Sequence, residues 1–132
     1  MNKKPSVMVC VTTQKACERL IQAGAEAAQH SQSPLHVVHV AGSHQHFFGS
    51  ENEGAAMEYL FTVSKEYAAD MSVLRSDDVA QTLADYAREH NAQLIIFGQS
   101  PDAARPGNII DRVRQMLADT GAAIAVQART ND

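Results

Sequence analysis

Short apolar runs alternate along the chain with longer segments in which apolar residues recur every three or four positions. The runs are rich in β-forming residues and continuous, as expected of strands that are covered on both faces. They predict five strands, at residues 7–11, 37–40, 73–74, 94–97 and 124–126. Four amphipathic helices are predicted between them. Such alternation indicates a single α/β domain over residues 1–132, with a parallel sheet and right-handed crossovers.

Local signals place the helix ends. Thr13 and Asn108 are predicted N-caps, and residues 76–78, Ser-Asp-Asp, precede the third helix. Gly121 is a predicted helix terminator. The first helix carries a narrow stripe of small and apolar residues that should let it lie close to the sheet, formed by Cys17, Leu20, Ile21, Gly24, Ala25 and Ala28.

Three further expectations concern individual segments. Residues 41–54 lose the periodic pattern and predict a long mobile loop. In the third helix, Asp85 and Arg88 are expected to pair on the outer surface. The inner face of the second helix is predicted to consist of Met57, Leu60, Phe61, Ser64 and Ala68.

The segment from 93 to 114 is the strongest candidate for chemistry. An apolar strand ends at Gly98, a loop containing Ser100 and Gly107 follows, and a helix opens after Asn108. Unpaired N–H groups and the helix dipole would converge there, which favours an anion. A plain strand-to-helix turn is the alternative, since glycine is common wherever a chain turns. No GxGxxG, GxxxxGK[ST] or GxSxG motif is present.

Composition narrows the function classes. The 132 residues are 45% hydrophobic and 20% charged, with a formal net charge of −4. This balance is typical of a soluble globular protein and argues against nucleic acid as a partner. No apolar run approaches the roughly 20 residues of a membrane span, so no membrane insertion is expected and the cytoplasm is the expected location. Cys10 and Cys17 are expected to be buried free thiols.

Other constellations carry weaker hypotheses. His39, His44 and His46 resemble a metal site, but no cysteine or carboxylate completes a recognisable spacing, so no metal is predicted. His36 and His39 should point to opposite faces of one strand. Ser100, His39 and Asp102 lack the pattern of a nucleophilic site, so no catalysis is predicted.

Two pairs of side chains have alternative interpretations. Arg105 and Arg112 are the cations best placed to meet an anion, or else are solvated surface charges. Phe47 and Phe48 either stack on a base or pack against the protein, and packing is favoured.

Several segments together resemble the universal stress protein (UspA-like) family, and most closely the variant in KdpD-type sensor kinases. They span essentially the whole chain and are 9–11 (Val-Cys-Val), 18–21, 35–40 (Leu-His-Val-Val-His-Val), 78–80, 85–90, 98–100 (Gly-Gln-Ser) and 110–113. The resemblance implies a five-stranded parallel sheet of order 3-2-1-4-5 with helices on both faces, the adenine-nucleotide alpha-hydrolase-like fold. It also implies a homodimer through the last strand and a noncatalytic role in signalling.

The resemblance implies a ligand site between strands one and four, where the order reverses and ligands of open α/β sheets bind. In nucleotide-binding members an Asp ends strand one and a G-x2-G-x9-G-(S/T) loop holds ATP. Here Thr12 and Thr13 replace the Asp, Pro101 replaces the second glycine, and the loop is shorter. The ligand would be ATP, AMP or a cyclic dinucleotide, bound weakly. The predicted contacts are Thr12, Thr13, Val40, Gly98, Ser100, Gly107 and Asn108.

The sequence leaves two functions open. The first is a small-ligand sensor that binds a nucleotide or another adenine-containing signal. The second is a protein-interaction module with a vestigial pocket, whose partner is a sensor kinase or transporter. Gly98, Ser100 and Gly107 favour the first, whereas the broken glycine pattern favours the second.

Overall fold

The structure is a computed structural model that describes residues 4–12, 14–47, 50–98 and 108–127, with the side chains of 14–16 left out of the description. The described strands are β1 (Ser6–Cys10), β2 (Leu35–Ala41), β3 (Asp70–Arg75), β4 (Ala92–Gly98) and β5 (Ala123–Gln127). The described helices are α1 (Gln14–Ser31), α2 (Glu53–Glu66), α3 (Val79–Glu89) and α4 (Ile109–Met116), with a 3-10 turn at Ala118–Thr120.

The strands form one parallel sheet of order β3-β2-β1-β4-β5. Cys10 lies opposite Val38 on one side and Phe97 on the other, and Phe97 in turn lies opposite Val126. The predicted fold class and all five predicted strands are therefore confirmed. The observed bounds differ from the predicted ones by a few residues, which is usual where propensity fades at a strand end.

Two hydrophobic clusters lie on opposite faces of the sheet, as strand alternation requires. Val7 and Val9 of β1 pack with α1 and α2, whereas Met8 and Cys10 pack with α3 and α4. Helix α1 lies so close to β1 that a Cβ at Gly24 would overlap the side chain of Val9. The small-residue stripe predicted for α1 is thus confirmed at its closest point.

The helix ends follow the predicted signals. The side chain of Asn108 accepts a hydrogen bond from Asp111 N at 2.8 Å, and that of Asp78 accepts from Gln81 N at 3.2 Å. Gly121 ends the 3-10 turn in the left-handed region, with φ 75°. The predicted cap at Thr13 lies outside the described residues.

Some packing expectations were wrong. Phe61 is 53% exposed, and Val63 occupies the inner face of α2 in its place. Ala68 lies beyond the end of α2 with a positive φ of 55° and is exposed. The reason is that successive side chains of a helix are 100° apart around its axis, so Leu60, Val63 and Ser64 share one face of α2 while Phe61 points away from it.

The predicted Asp85–Arg88 pair was also wrong. Arg88 reaches across to the 3-10 turn, where Nη2 lies 2.8 Å from Asp119 Oδ1 and 2.6 Å from the carbonyl oxygen of Met116. Asp85 instead accepts from Gln81 Nε2 at 2.8 Å. Because α3 packs on α4, Arg88 can donate to the Asp119 carboxylate and the Met116 carbonyl at once. Two such acceptors stabilise the guanidinium more than the single exposed carboxylate of Asp85 would at i,i+3 spacing.

Cys10 and Cys17 are free and buried, as expected, and burial raises the pKa of the Cys17 thiol to about 11. Both therefore hold their protons at neutral pH and act as small apolar groups. Within the described chain, no helix combines the length and apolarity that crossing a bilayer requires.

Candidate functional site

The strand order reverses between β1 and β4. Chain leaving β1 enters α1 on one face of the sheet, whereas α4 packs on the other face, with α3. Because β1 and β4 are parallel neighbours whose following helices lie on opposite faces, their carboxyl ends leave an open crevice between them. The described residues that end there are Thr12 after β1 and Gly98 at the end of β4.

Four of the seven predicted contact residues fall within the described chain. Cys10 is paired with both Val38 and Phe97, so Thr12, Val40 and Gly98 all end their strands at the same edge of the sheet. Thr12 is exposed, and Val40 and Gly98 are half-buried. Thr13, Ser100 and Gly107 lie outside the described residues, as do Arg105 and Phe48.

The fourth described residue, Asn108, opens α4. Its side-chain oxygen accepts a hydrogen bond from Asp111 N, and its carbonyl oxygen accepts from Arg112 N at 3.0 Å. The first N–H groups of a helix have no partner inside it. The caps therefore leave the N–H groups of Ile109 and Ile110 without a partner within α4, at the positive end of its dipole.

Arg112, the predicted anion partner, is engaged within the protein. Its Nη2 lies 3.3 Å from Oδ1 of Asp78, the residue that caps α3. Both side chains are about half exposed, at 44% and 55%. Exposed pairs of this kind contribute little to stability, so this contact is one that a stronger anion can replace.

A cluster at the end of β3, not predicted from the sequence, holds the loop between β2 and α2. We call it the Arg75 clamp and define it as Arg75 and Asp77 with the loop residues 42–47. Nη1 of Arg75 donates to the carbonyl oxygens of Gly42 at 2.7 Å and Gln45 at 2.9 Å. The Asp77 carboxylate accepts from Ser43 N at 2.9 Å and from Ser43 Oγ at 2.6 Å. These bonds hold the pKa of Asp77 below its usual value.

The far end of the loop is fixed by Phe47. Its ring lies 4.1 Å below the guanidinium carbon of Arg75, and its N–H donates to Glu53 Oε1 at 2.9 Å. Phe47 also packs against the core on the α1 and α2 face. The predicted packing role is confirmed for Phe47. The described part of the loop, expected to be mobile, is instead tied at both ends, because Arg75 at the end of β3 and Asp77 just after it place a cation and a carboxylate next to the loop.

Two of the candidate metal-ligating histidines have other partners. Nδ1 of His39 lies 2.8 Å from the carbonyl oxygen of Val11, and Nδ1 of His46 lies 3.5 Å from Glu53 Oε1. Burial lowers the pKa of His39; Arg75 lowers it too, and the bond to Val11 opposes the shift. The described residues contain no group of three or more side chains suited to holding a metal ion.

His36 lies on the opposite face, as strand parity predicts. Its Nδ1 is 3.2 Å from Tyr86 Oη, and its ring centroid is 4.5 Å from that of His90. Burial lowers the pKa of His36, with a further contribution from His90, while Asp70 raises it. The ring is therefore neutral at physiological pH and belongs to the α3 side of the core rather than to the open edge.

The family assignment rests on more than shape. A model of the universal stress protein family matches residues 5–115, which is most of the chain. The chain belongs to the universal stress protein family. No curated protein matches it in sequence.

Solved structures agree with this family assignment at the level of the fold. A universal stress protein from Archaeoglobus fulgidus has a TM-score of 0.63 and 16% identity, with 93% of this chain and 98% of that one covered. The universal stress protein from the same archaeon in complex with dAMP has a TM-score of 0.62 and 17% identity, with 95% of this chain and 98% of that one covered. A universal stress protein in complex with cAMP has a TM-score of 0.60 and 14% identity, with 96% of this chain and 100% of that one covered. At these identities the similarity establishes the shared fold.

Proposed function

We propose that this chain is a small-ligand-binding and signalling domain, of the KdpD-type variant, that takes an adenine nucleotide at the open edge between β1 and β4 and does not turn it over. The observation that carries most weight is the start of α4. Its capping by Asn108 leaves the N–H groups of Ile109 and Ile110 without a partner inside the helix. Such donors, reinforced by the helix dipole, attract a phosphate.

The nature of the ligand is supported by two relatives of the same fold. One was solved with dAMP and the other with cAMP, and each of these nucleotides carries an adenine base and a single phosphate. The predicted contact residues are Thr12, Thr13, Val40, Gly98, Ser100, Gly107 and Asn108. The two N–H donors at the described start of α4 match a single phosphate, so AMP is the expected ligand, with ATP and a cyclic dinucleotide as the alternatives. ATP should bind more weakly than ~10 µM, about 7 kcal/mol or less.

Titration of AMP, ATP and a cyclic dinucleotide into labelled protein, followed by amide NMR, tests the proposal. The largest shift changes are expected at Thr12, Val40, Gly98, Ile109 and Ile110. Tight ATP binding would contradict the donor-count argument. Shift changes confined to residues 44–47 would contradict the site. Native mass spectrometry of freshly purified protein would show whether a nucleotide accompanies it.

A pair of substitutions at Asn108 separates anion binding from helix capping. Aspartate caps a helix about as well as asparagine, so Asn108→Asp preserves the bond to Asp111 N while adding a negative charge. Asn108→Ser preserves the cap and stays neutral. AMP affinity should fall about tenfold in the aspartate variant, roughly 1.4 kcal/mol, and only slightly in the serine variant. Equal affinity in both variants would mean that no phosphate sits at α4.

The second candidate function is a protein-interaction module with a vestigial pocket, partnering a sensor kinase or transporter. It is favoured by Thr12, which offers no carboxylate where nucleotide-binding relatives are expected to have one, and by the engagement of Arg112 with Asp78. Sedimentation of the protein with the cytoplasmic segment of a KdpD-type kinase tests this reading. Complex formation without any nucleotide effect would favour it over the sensor.

We also propose a cytoplasmic homodimer joined through β5. This strand ends the sheet, and Val126 in it is 43% exposed. An apolar sheet edge offers N–H and C=O groups that a second copy can complete. Analytical ultracentrifugation at tens of micromolar should give a dimer, and Val126→Lys should give a monomer. A monomeric native protein would contradict the proposal.

A further inference from the structure

The β1–β2 ladder stops one bond short at the open edge. In a parallel ladder a residue donates its N–H to the neighbouring strand and accepts, through its C=O, from an N–H two positions further along that strand. Val11 N donates to the carbonyl oxygen of Val38 at 3.0 Å, so its own C=O should accept from Val40. Within the described residues that second backbone bond is not formed, and the paired register ends at Cys10 and Val38.

The imidazole of His39 takes the place of the missing bond. Its Nδ1 lies 2.8 Å from the Val11 carbonyl oxygen, and both residues are buried. A carbonyl oxygen can only accept, so Nδ1 is the protonated nitrogen and donates. The carbonyl that would have closed the ladder accepts from a side chain instead, and within the described residues the Val40 N–H does not bond to it.

The Arg75 clamp holds the imidazole in this position. Phe47 meets His39 edge-on, with ring centroids 6.0 Å apart, and the guanidinium of Arg75 covers the other part of the Phe47 ring at 4.1 Å. Burial lowers the pKa of His39, so the ring is neutral at physiological pH, and the bond to the Val11 carbonyl fixes the tautomer with the proton on Nδ1. Phe47 thus packs against the imidazole on one side and favours its position at the Val11 carbonyl.

We propose that His39 is a positioning residue of the ligand site: by binding the Val11 carbonyl it keeps the β1–β2 ladder open and leaves the N–H of Val40 as a donor to the ligand. This inference rests on the proposed function for its ligand. Its hydrogen-bonding part is independent of any ligand. A donor held in place by the fold costs no reorganisation when the ligand arrives, which is how a preorganised site gains affinity.

Two substitutions at one position provide the test. His39→Leu removes the donor, and the freed Val11 carbonyl should then accept from Val40, closing the ladder. His39→Asn is the matched control, because its amide nitrogen can donate from nearly the place of Nδ1. His36→Gln, on the same strand but the opposite face, controls for the loss of a buried histidine. Urea titration first establishes the stability of each variant, so that exchange is compared at equal global protection.

Amide hydrogen exchange and AMP titration are the two readouts. In the leucine variant Val40 exchange should slow about tenfold, and the AMP dissociation constant should rise about tenfold, as expected for one lost hydrogen bond. The asparagine and His36 variants should stay close to wild type in both. A Val40 amide that is already as protected in wild type as Val38, or exchange unchanged by His39→Leu, would overturn the inference even if AMP binds. Absence of AMP binding in wild type would overturn the proposed function and the ligand role of His39. Val40 exchange would then still test whether His39 keeps the Val40 N–H from bonding to the Val11 carbonyl.

Discussion

Replacing Arg75 by methionine tests whether the β2–α2 loop is held by the clamp. The change keeps an unbranched apolar stem and removes every polar contact. The variant loses the bonds from Nη1 to the carbonyl oxygens of Gly42 and Gln45, at 2.7 and 2.9 Å. It also loses the contact of the guanidinium with the Phe47 ring. The pair with Glu53, at 3.9 Å, is long and lies at the surface.

The expected cost follows from exposure. The side chain of Arg75 is 38% exposed, so water competes for each bond and the two short ones contribute only about 0.5 kcal/mol apiece. The cation–π contact adds about 0.5–1 kcal/mol at a partly exposed site. A surface ion pair as long as that with Glu53 contributes close to nothing. The free energy of unfolding should therefore fall by about 1.5–2 kcal/mol.

Urea denaturation measures this loss, and Arg114→Met is the matched control. Among the described residues Arg114 pairs with Asp111, at 3.3 Å, and the two side chains are 56% and 43% exposed, so its replacement should cost about 0.5 kcal/mol or less. Exchange of the Ser43 amide should accelerate in the Arg75 variant alone, since the loop that presents Ser43 to Asp77 is released. Equal losses of stability in the two variants, or an unchanged Ser43 amide, would refute the clamp.

Two further predictions concern the core. Acid should weaken the fold as pH falls below about 6.5, because burial lowers the pKa values of His36 and His39 in the folded state. Above that pH both histidines are neutral in the folded and the unfolded chain, and their environment costs no stability. Below it the unfolded chain takes up protons first, so the free energy of unfolding falls. Thermal melts from pH 7.5 to 5 check this, and a flat profile would contradict it. Gly24→Ala should cost about 1–3 kcal/mol, because the new Cβ overlaps Val9, whereas Gly54→Ala, with no heavy atom within 4 Å of its Cβ, should gain about 0.5 kcal/mol. Urea titration of both variants decides, and equal effects would refute the close packing of α1 on β1.

The strands and helix ends could be predicted because their signals are local. Asn108 and Asp78 cap the helices that follow them, and Gly121 takes the left-handed conformation expected of a terminator. Each of these needs only the residues within one turn. The order of the strands is different, since it depends on which distant segments pair, and it was supplied by the resemblance to a known fold.

The Arg75 clamp could not be predicted, because it joins residues 30 and 33 positions apart. In the sequence Arg75 follows an apolar run and is typical of a solvated strand end. What makes it a loop anchor is the pairing of β2 with β3, which sets Ala41 opposite Arg75 and so places the start of the loop beside the guanidinium. No local pattern carries that information. The predicted pairing of Arg88 with Asp85 was wrong for the same reason, since Arg88 bonds to the distant Asp119.

The histidines of β2 show where a local rule stops being informative. Parity along a strand correctly separated His36 from His39, since alternate side chains face opposite sides of a sheet. It could not say that His36 would meet Tyr86 and His90, or that His39 would meet Val11, 28 positions earlier. The second contact changes the interpretation of the metal hypothesis. Because Nδ1 of His39 donates its proton to a carbonyl oxygen, only Nε2 of this ring could ligate a metal. The contact with Val11 thus fixes which nitrogen of His39 carries the proton, which strand parity alone could not predict.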